Sequence, residues 1–150
     1  MATSGMLTGV LSDIRRAKNG LSAEAETIVS EIQELILNYN RGRLLKGQDA
    51  QGQKITPDYS RVKYARAKNQ MNQLPGIGTP DLKVTGKFYA EFYLTSQNGK
   101  FEIFSSDWKS KALSNKYGDI FGLTIEDEHI VNFEEIYPRL IEWILIQLSR

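Results

Sequence analysis

Leu45-Lys46-Gly47-Gln48-Asp49-Ala50-Gln51-Gly52-Gln53-Lys54-Ile55-Thr56-Pro57-Asp58-Tyr59-Ser60 opens the stretch around which this chain is organised. A basic run follows to Lys68, then Pro75-Gly76-Ile77-Gly78-Thr79-Pro80, then Asp81-Leu82-Lys83-Val84-Thr85-Gly86-Lys87-Phe88-Tyr89. Gly47, Gly52 and Pro57 oppose regular structure, so residues 46–80 read as an extended basic loop. A connection this long inside a compact domain is either functional or ordered only on binding. Tyr59 to Met71 carries a thin helical stripe, and Pro75 to Pro80 reads as a linker. The linker glycines do not make a phosphate loop, because no strand precedes them and Pro80 blocks a clean helix start.

The flanking segments read as scaffold. Leu7, Val10, Leu11 and Ile14 predict a short helix that stops at Asn19-Gly20. Ser22 caps a longer one. Its stripe is Leu21, Ala25, Ile28, Val29, Ile32, Leu35, Ile36 and Tyr39, and Asn40-Arg41-Gly42 ends it. Asn98-Gly99 is the favoured two-residue hairpin turn. It sets Leu94 opposite Ile103, Tyr93 opposite Phe104 and Thr95 opposite Glu102. Phe92, Leu94, Phe101 and Ile103 then share a face suited to Ile28, Ile32 and Leu35. Tyr93 and Phe104 fall on the other face, to be covered by a loop or by a partner.

Towards the end of the chain, Ser106-Asp107 opens a short helix with Trp108, Ala112 and Leu113 inward and Gly118 as its stop. Thr124 and Asp127 have capping-box spacing. The carboxylates of Glu126, Asp127 and Glu128 suit the positive end of that helix better than they suit a metal, and His129 reads as a surface or satisfied side chain rather than a ligand. Pro138 predicts a break or kink at Tyr137. Beyond it Leu140, Ile141, Ile144, Leu145 and Leu148 form one stripe. Trp143 and Ile146 lie outside it and are candidate interface residues. The fold class is therefore α+β: a small antiparallel sheet with a long packing helix, a long basic loop insert and C-terminal helices.

Composition bounds the chemistry. At 150 residues one domain is expected, with a core that needs no disulfide. The chain has no cysteine and one histidine, which removes thiol chemistry and multi-histidine metal sites. Charge is unevenly placed. Residues 41–70 hold eight Lys/Arg against two Asp, a net +6. Residues 119–150 hold two Arg against seven acids, a net −5. Such a chain attracts copies of itself or a polyanion, unless both regions are simply solvated faces. Met1-Ala2-Thr3-Ser4-Gly5 lacks the start of a signal peptide, and no apolar run is long enough for a membrane span.

The central stretch resembles the neck or tail-completion proteins of tailed bacteriophages, which act in head–tail joining. The resemblance rests on Gly47, Asp49, Gly52, Tyr59-Ser60, Tyr64, Lys68 and Leu82-Lys83-Val84-Thr85-Gly86, in that order, and covers about Leu21 to Phe104. Tyr117-Gly118-Asp119-Ile120-Phe121-Gly122-Leu123-Thr124 is similar to variants from gut bacteroidal phages and prophages. The region around Pro138 departs from the commonest members.

The resemblance implies a virion protein, made in the bacterial host cytoplasm, that forms a ring at the neck or tail top. That ring joins head to tail and lets DNA pass. Its expected partners are copies of itself, neighbouring connector or tail proteins and, non-specifically, phage DNA; no membrane, cofactor, metal or catalytic residue is expected. Lys54, Tyr59, Arg61, Lys63, Tyr64, Arg66 and Lys68 form the candidate assembly or DNA-facing loop. One alternative is a nucleic-acid-binding domain, since these cations interleave with Tyr59 and Tyr64. Another is a cell-wall hydrolase using Glu91, Glu102 and Asp107, although no His or Cys nucleophile system accompanies them.

Overall fold

A computed structural model describes residues 2–97 and 100–150 of the chain. The first helix, α1, runs unbroken from Ala2 to Glu31. Asn19-Gly20 does not end it, and Ser22 is a mid-helix residue rather than a cap. The reason lies in packing: a Cβ on Gly20 would stand 2.8 Å from the Trp143 indole. The glycine is kept for close approach of another helix, and the hydrogen-bond ladder carries on through it. Leu11 and Ile14 are exposed, while the side chains of Leu7 and Val10 lie outside the described residues.

Ile32, with φ −101° and ψ 13°, separates α1 from α2, Gln33–Leu45. The hydrogen bonds run on through it, from the Ile32 N–H to the Ile28 carbonyl at 3.0 Å and from the Ile36 N–H to the Ile32 carbonyl at 3.2 Å. Ile36 and Leu37 are buried on the face that continues from Ile28 and Val29, and Leu35 is left 39% exposed at its edge. The expected end at Asn40-Arg41-Gly42 is also corrected. Asn40 and Arg43 are buried and hydrogen-bond the 120–122 backbone, so the helix must reach them. The stop is Gly47, at φ 72°. Its N–H bonds the Leu44 carbonyl at 2.8 Å and the Gln48 N–H bonds the Arg43 carbonyl at 3.1 Å, the paired closure of a left-handed helix cap.

Residues 46–80 occupy the expected place but fold back onto the body. Gln48 bridges Lys54, the Ala50 N–H bonds Asp119 at 2.8 Å, and the Tyr59 N–H bonds Gly78 at 2.8 Å. Ile55 and Ala50 are buried, which supplies the apolar contact that a disordered loop lacks. The segment is helical as α3, Val62–Met71, but its thin apolar stripe is not its buried face: Ala65 and Lys68 are buried, while Val62, Ala67 and Met71 are exposed. Residues 75–80 contain no regular element. Gly86, at φ 87°, turns the chain into the one-turn helix α4, Lys87–Ala90.

Strands β1, Phe92–Gln97, and β2, Lys100–Ser105, pair antiparallel in the expected register, Leu94 to Ile103 and Tyr93 to Phe104. The Asn98-Gly99 turn lies outside the described residues. Phe92 and Ile103 join the core with Ile28, Val29, Ile36, Phe88 and Ile120. Phe101 stays exposed, and Tyr93 and Phe104 form an exposed pair 5.8 Å apart, only flanked by Phe121.

The next helix, α5, spans Ser110–Tyr117 and stops at Gly118 as expected. It starts later than Ser106. Buried Asp107 accepts the Lys109 N–H at 2.8 Å, so Trp108 sits in the preceding turn and is 82% exposed rather than inward. Ala112 is exposed too, so of the three expected inward residues Leu113 alone packs against the core, joined there by Tyr117. Helix α6, Ile125–Val131, begins where Thr124 Oγ1 accepts the Asp127 N–H at 3.1 Å.

No break occurs at Tyr137. A wide π turn, Asn132–Ile136, passes directly into α7, Tyr137–Ser149. Proline lacks an N–H and crowds the carbonyl one turn back. The wide turn placed just before Pro138 absorbs both effects, and proline is tolerated in a first turn. α7 lies antiparallel on α1, where Arg16 bonds the Gln147 carbonyl at 2.9 Å and Arg139 pairs with Glu31. Its inner side is Leu140, Trp143, Ile144 and Gln147, so the expected stripe is split. Trp143 turns in onto Gly20, while Ile141, Leu145, Ile146 and Leu148 stay exposed.

Candidate functional site: a cationic, aromatic cleft

The residues singled out around the basic stretch meet in space. Tyr59, Ser60, Arg61 and Tyr64, at the start of α3, form one wall of an open cleft of about 320 Å³. Leu82, Val84, Thr85 and Gly86 form the next wall, and Lys109, Lys116 and Tyr117 of α5 and its preceding turn form the last. The Tyr-Ser pair and the Leu-x-x-Thr-Gly run are thus two sides of one site. No carboxylate lines it.

A buried hub holds the walls together. The Asp81 carboxylate accepts from Lys68 Nζ at 2.7 Å, Asn72 Nδ2 at 3.0 Å and the Lys83 N–H at 3.0 Å. Both charged side chains are almost fully buried, and Lys68 also donates to the Lys83 carbonyl. Burial alone would raise the Asp81 carboxyl. The hydrogen bonds from Lys68, Asn72 and Lys83 outweigh it and hold the group below the ordinary carboxylate range. The Asp81 N–H donates to the Tyr59 hydroxyl at 3.4 Å, and Tyr89 donates to the Asp81 carbonyl. Burial, and then the charge of Asp81, pushes both phenols above their usual range. Leu82 follows in the left-handed region at φ 58°. A non-glycine residue there costs about 1–2 kcal/mol, a strain that the surrounding hub sustains.

The expected loop cations have different fates. Arg61 stands at the cleft, with the Tyr59 and Tyr64 rings edge to face at 4.9 Å beside it. Lys63 and Arg66 are exposed on α3, and Lys54 is exposed but pairs with Asp58 at 3.0 Å. Lys68 is no outward cation: its charge is spent on Asp81. Further upstream Arg41 bonds Glu34 and the Tyr89 carbonyl, both at 3.0 Å. Arg43 is buried and donates to the carbonyls of Gln48, Ile120 and Gly122. Burial lowers its pKa, against the opposing pull of Asp49, Asp127 and Asp119. The net +6 of residues 41–70 is therefore not one free patch.

Two features escaped the linear reading. Lys109, Lys116 and Tyr117 reach the cleft from a helix about fifty positions downstream, with no motif to join them to Tyr59. The other is a row of apolar residues on the outer side of α6 and α7. Ile130, Phe133, Tyr137, Ile141, Leu145 and Leu148 recur at helical spacing and are 38–62% exposed. Phe133, the most exposed, stacks on His129 at 5.6 Å and meets Tyr137 edge-on at 5.2 Å. Trp143, the expected interface residue, faces away from this row, and Ile146 is exposed on α7.

The carboxylates considered for hydrolysis are dispersed in role. Glu91 accepts from Ser106 and pairs with Lys87, Glu102 is exposed, and Asp107 is buried beneath the α5 turn. Among the described residues no group of three or more His, Asp or Glu could hold a metal ion, and no helix is long and apolar enough to cross a membrane. No protein-family model matches the chain, nor does any curated protein or solved structure.

Proposed function

We propose that the chain is a structural protein of a tailed phage particle, forming a ring at the neck or tail top that joins head to tail and lets DNA pass. The observation that supports this is the presence of two unlike exposed surfaces on one small body. One is the cationic, aromatic cleft; the other is the outward apolar row of α6 and α7. Unlike patches that meet in successive copies make a heterologous contact, which closes into a ring where the rotation between copies closes and otherwise runs on as a filament. An exposed apolar row on an otherwise packed helix marks an interaction surface. Part of the motif that resembles head–tail joining proteins also has a spatial meaning, because its Tyr-Ser pair and its Leu-x-x-Thr-Gly run line the same cleft.

The experiment is to prevent synthesis of the chain in the phage that encodes it. Filled heads and free tails that do not join are the expected products. Normal numbers of joined, infectious particles would overturn the proposal.

A nucleic-acid contact is the second reading, favoured by exposed Arg61, Lys63 and Arg66. Phosphate contact needs charge and reach rather than base-reading geometry. The isolated chain should then bind DNA with a steep salt dependence, measured by fluorescence anisotropy at two ionic strengths. Salt-independent or absent binding counts against it.

A further inference from the structure

We infer that the cleft between α3, α5 and residues 82–86 is the socket for Phe133 and its acidic neighbours on a second copy of this chain. The inference rests on the ring proposed above and names the contact that would build it. The socket has Tyr59, Tyr64 and Tyr117 on its sides, with Arg61, Lys109 and Lys116 as its only charges. At about 320 Å³ it lies at the small end of ligand pockets, the right scale for one or two anchoring side chains. Three cations with no lining acid call for an occupant that carries negative charge beside an apolar or aromatic group.

The same chain displays such a group. Phe133 is 62% exposed and is propped outward between His129 and Tyr137. Exposed Glu134 follows it directly, and exposed Glu126 and Glu128 lie just upstream on the same helical run. The π turn carries Phe133 and Glu134 together, and such turns recur at functional positions. An aromatic face also attracts Arg and Lys. Donor and socket are different surfaces, so each copy offers one of each and the contact propagates head to tail.

The absence of cysteine makes a clean proximity test possible. Full-length Arg61→Cys chain is mixed with full-length Glu134→Cys chain and oxidised. The expected product is a disulfide-linked mixed dimer in excess of either symmetric dimer. Phe133→Asp, added to the Glu134→Cys chain, should lower its yield by about tenfold or more, as loss of a central anchor does. Circular dichroism checks folding, and Lys116→Cys replaces Arg61→Cys should the latter be misfolded. Mixed dimers no more abundant than symmetric ones would overturn the inference. So would binding of a single-stranded oligonucleotide that Lys116→Glu abolishes while no mixed dimer forms, since the cleft would then take nucleic acid. A mixed dimer formed by a chain absent from particles upholds the socket and sinks the virion role. A ring in particles without the mixed dimer does the reverse.

Discussion

Asp81 and Lys68 show how one residue's role depends on what the fold does to its charge. In the linear chain Lys68 is one cation among many; in the structure it is nearly buried against Asp81 at 2.7 Å. Removing one partner of a buried pair strands the other, so Asp81→Asn should cost about 3–5 kcal/mol in urea unfolding. The pair also sets a pH dependence. The folded Asp81 carboxyl titrates below its unfolded value, so on acidification the unfolded chain takes up the proton first. This part of the stability is complete above the ordinary carboxylate range and is lost as pH falls through the depressed folded value. The Asp81→Asn chain should show a shallower acid slope; an unchanged slope would mean that the pair is not the source. Trp108 makes the opposite case. At 82% exposure, Trp108→Ala should change unfolding stability by no more than about 0.5 kcal/mol. A loss of several kcal/mol would mean that the side chain is packed after all.

At the scale of elements, two helical glycines look alike in sequence and should behave oppositely. Gly42 has nothing within 4 Å of a would-be Cβ, whereas Gly20 faces the Trp143 indole at 2.8 Å. Gly42→Ala should therefore gain up to about 1 kcal/mol from helix propensity. Gly20→Ala collects the same gain but overpacks the α1–α7 contact at about 1–3 kcal/mol, and its melting temperature should fall. Both rising together would refute this helix packing. These glycines also explain what could be read in advance. The hairpin register was legible, because strand period and cross-strand pairing depend on near neighbours. So were the Thr124 cap and the Gly118 stop, which are local chemistry. The ends of α1 and α2 were not, because Gly20 answers to Trp143 and Asn40 and Arg43 answer to residues 120–122. The cleft was half legible: Tyr59, Arg61 and Tyr64 lie in the flagged stretch, while Lys109, Lys116 and Tyr117 arrive only through the tertiary fold.

For the whole molecule, the basic middle and acidic end act less as two fields than as sources of a few usable charges. Arg43 and Lys68 are absorbed inside, Arg41 and Lys54 are paired, Lys46 is exposed at the end of α2, and Arg61, Lys63 and Arg66 remain outward at the start and side of α3. Replacing these last three with serine should chiefly impair tail attachment, since Arg61 belongs to the socket. Joined particles that leak or poorly eject DNA would instead assign the cations to the DNA passage. Imaging of intact particles decides whether the chain builds the joint between head and tail. Density fitting this fold should repeat as a closed ring around the DNA channel where head meets tail, with the π turn after α6 of each copy against α3 and α5 of the next. Purified particles in which that joint is fully built from other chains, with this protein absent, would contradict it.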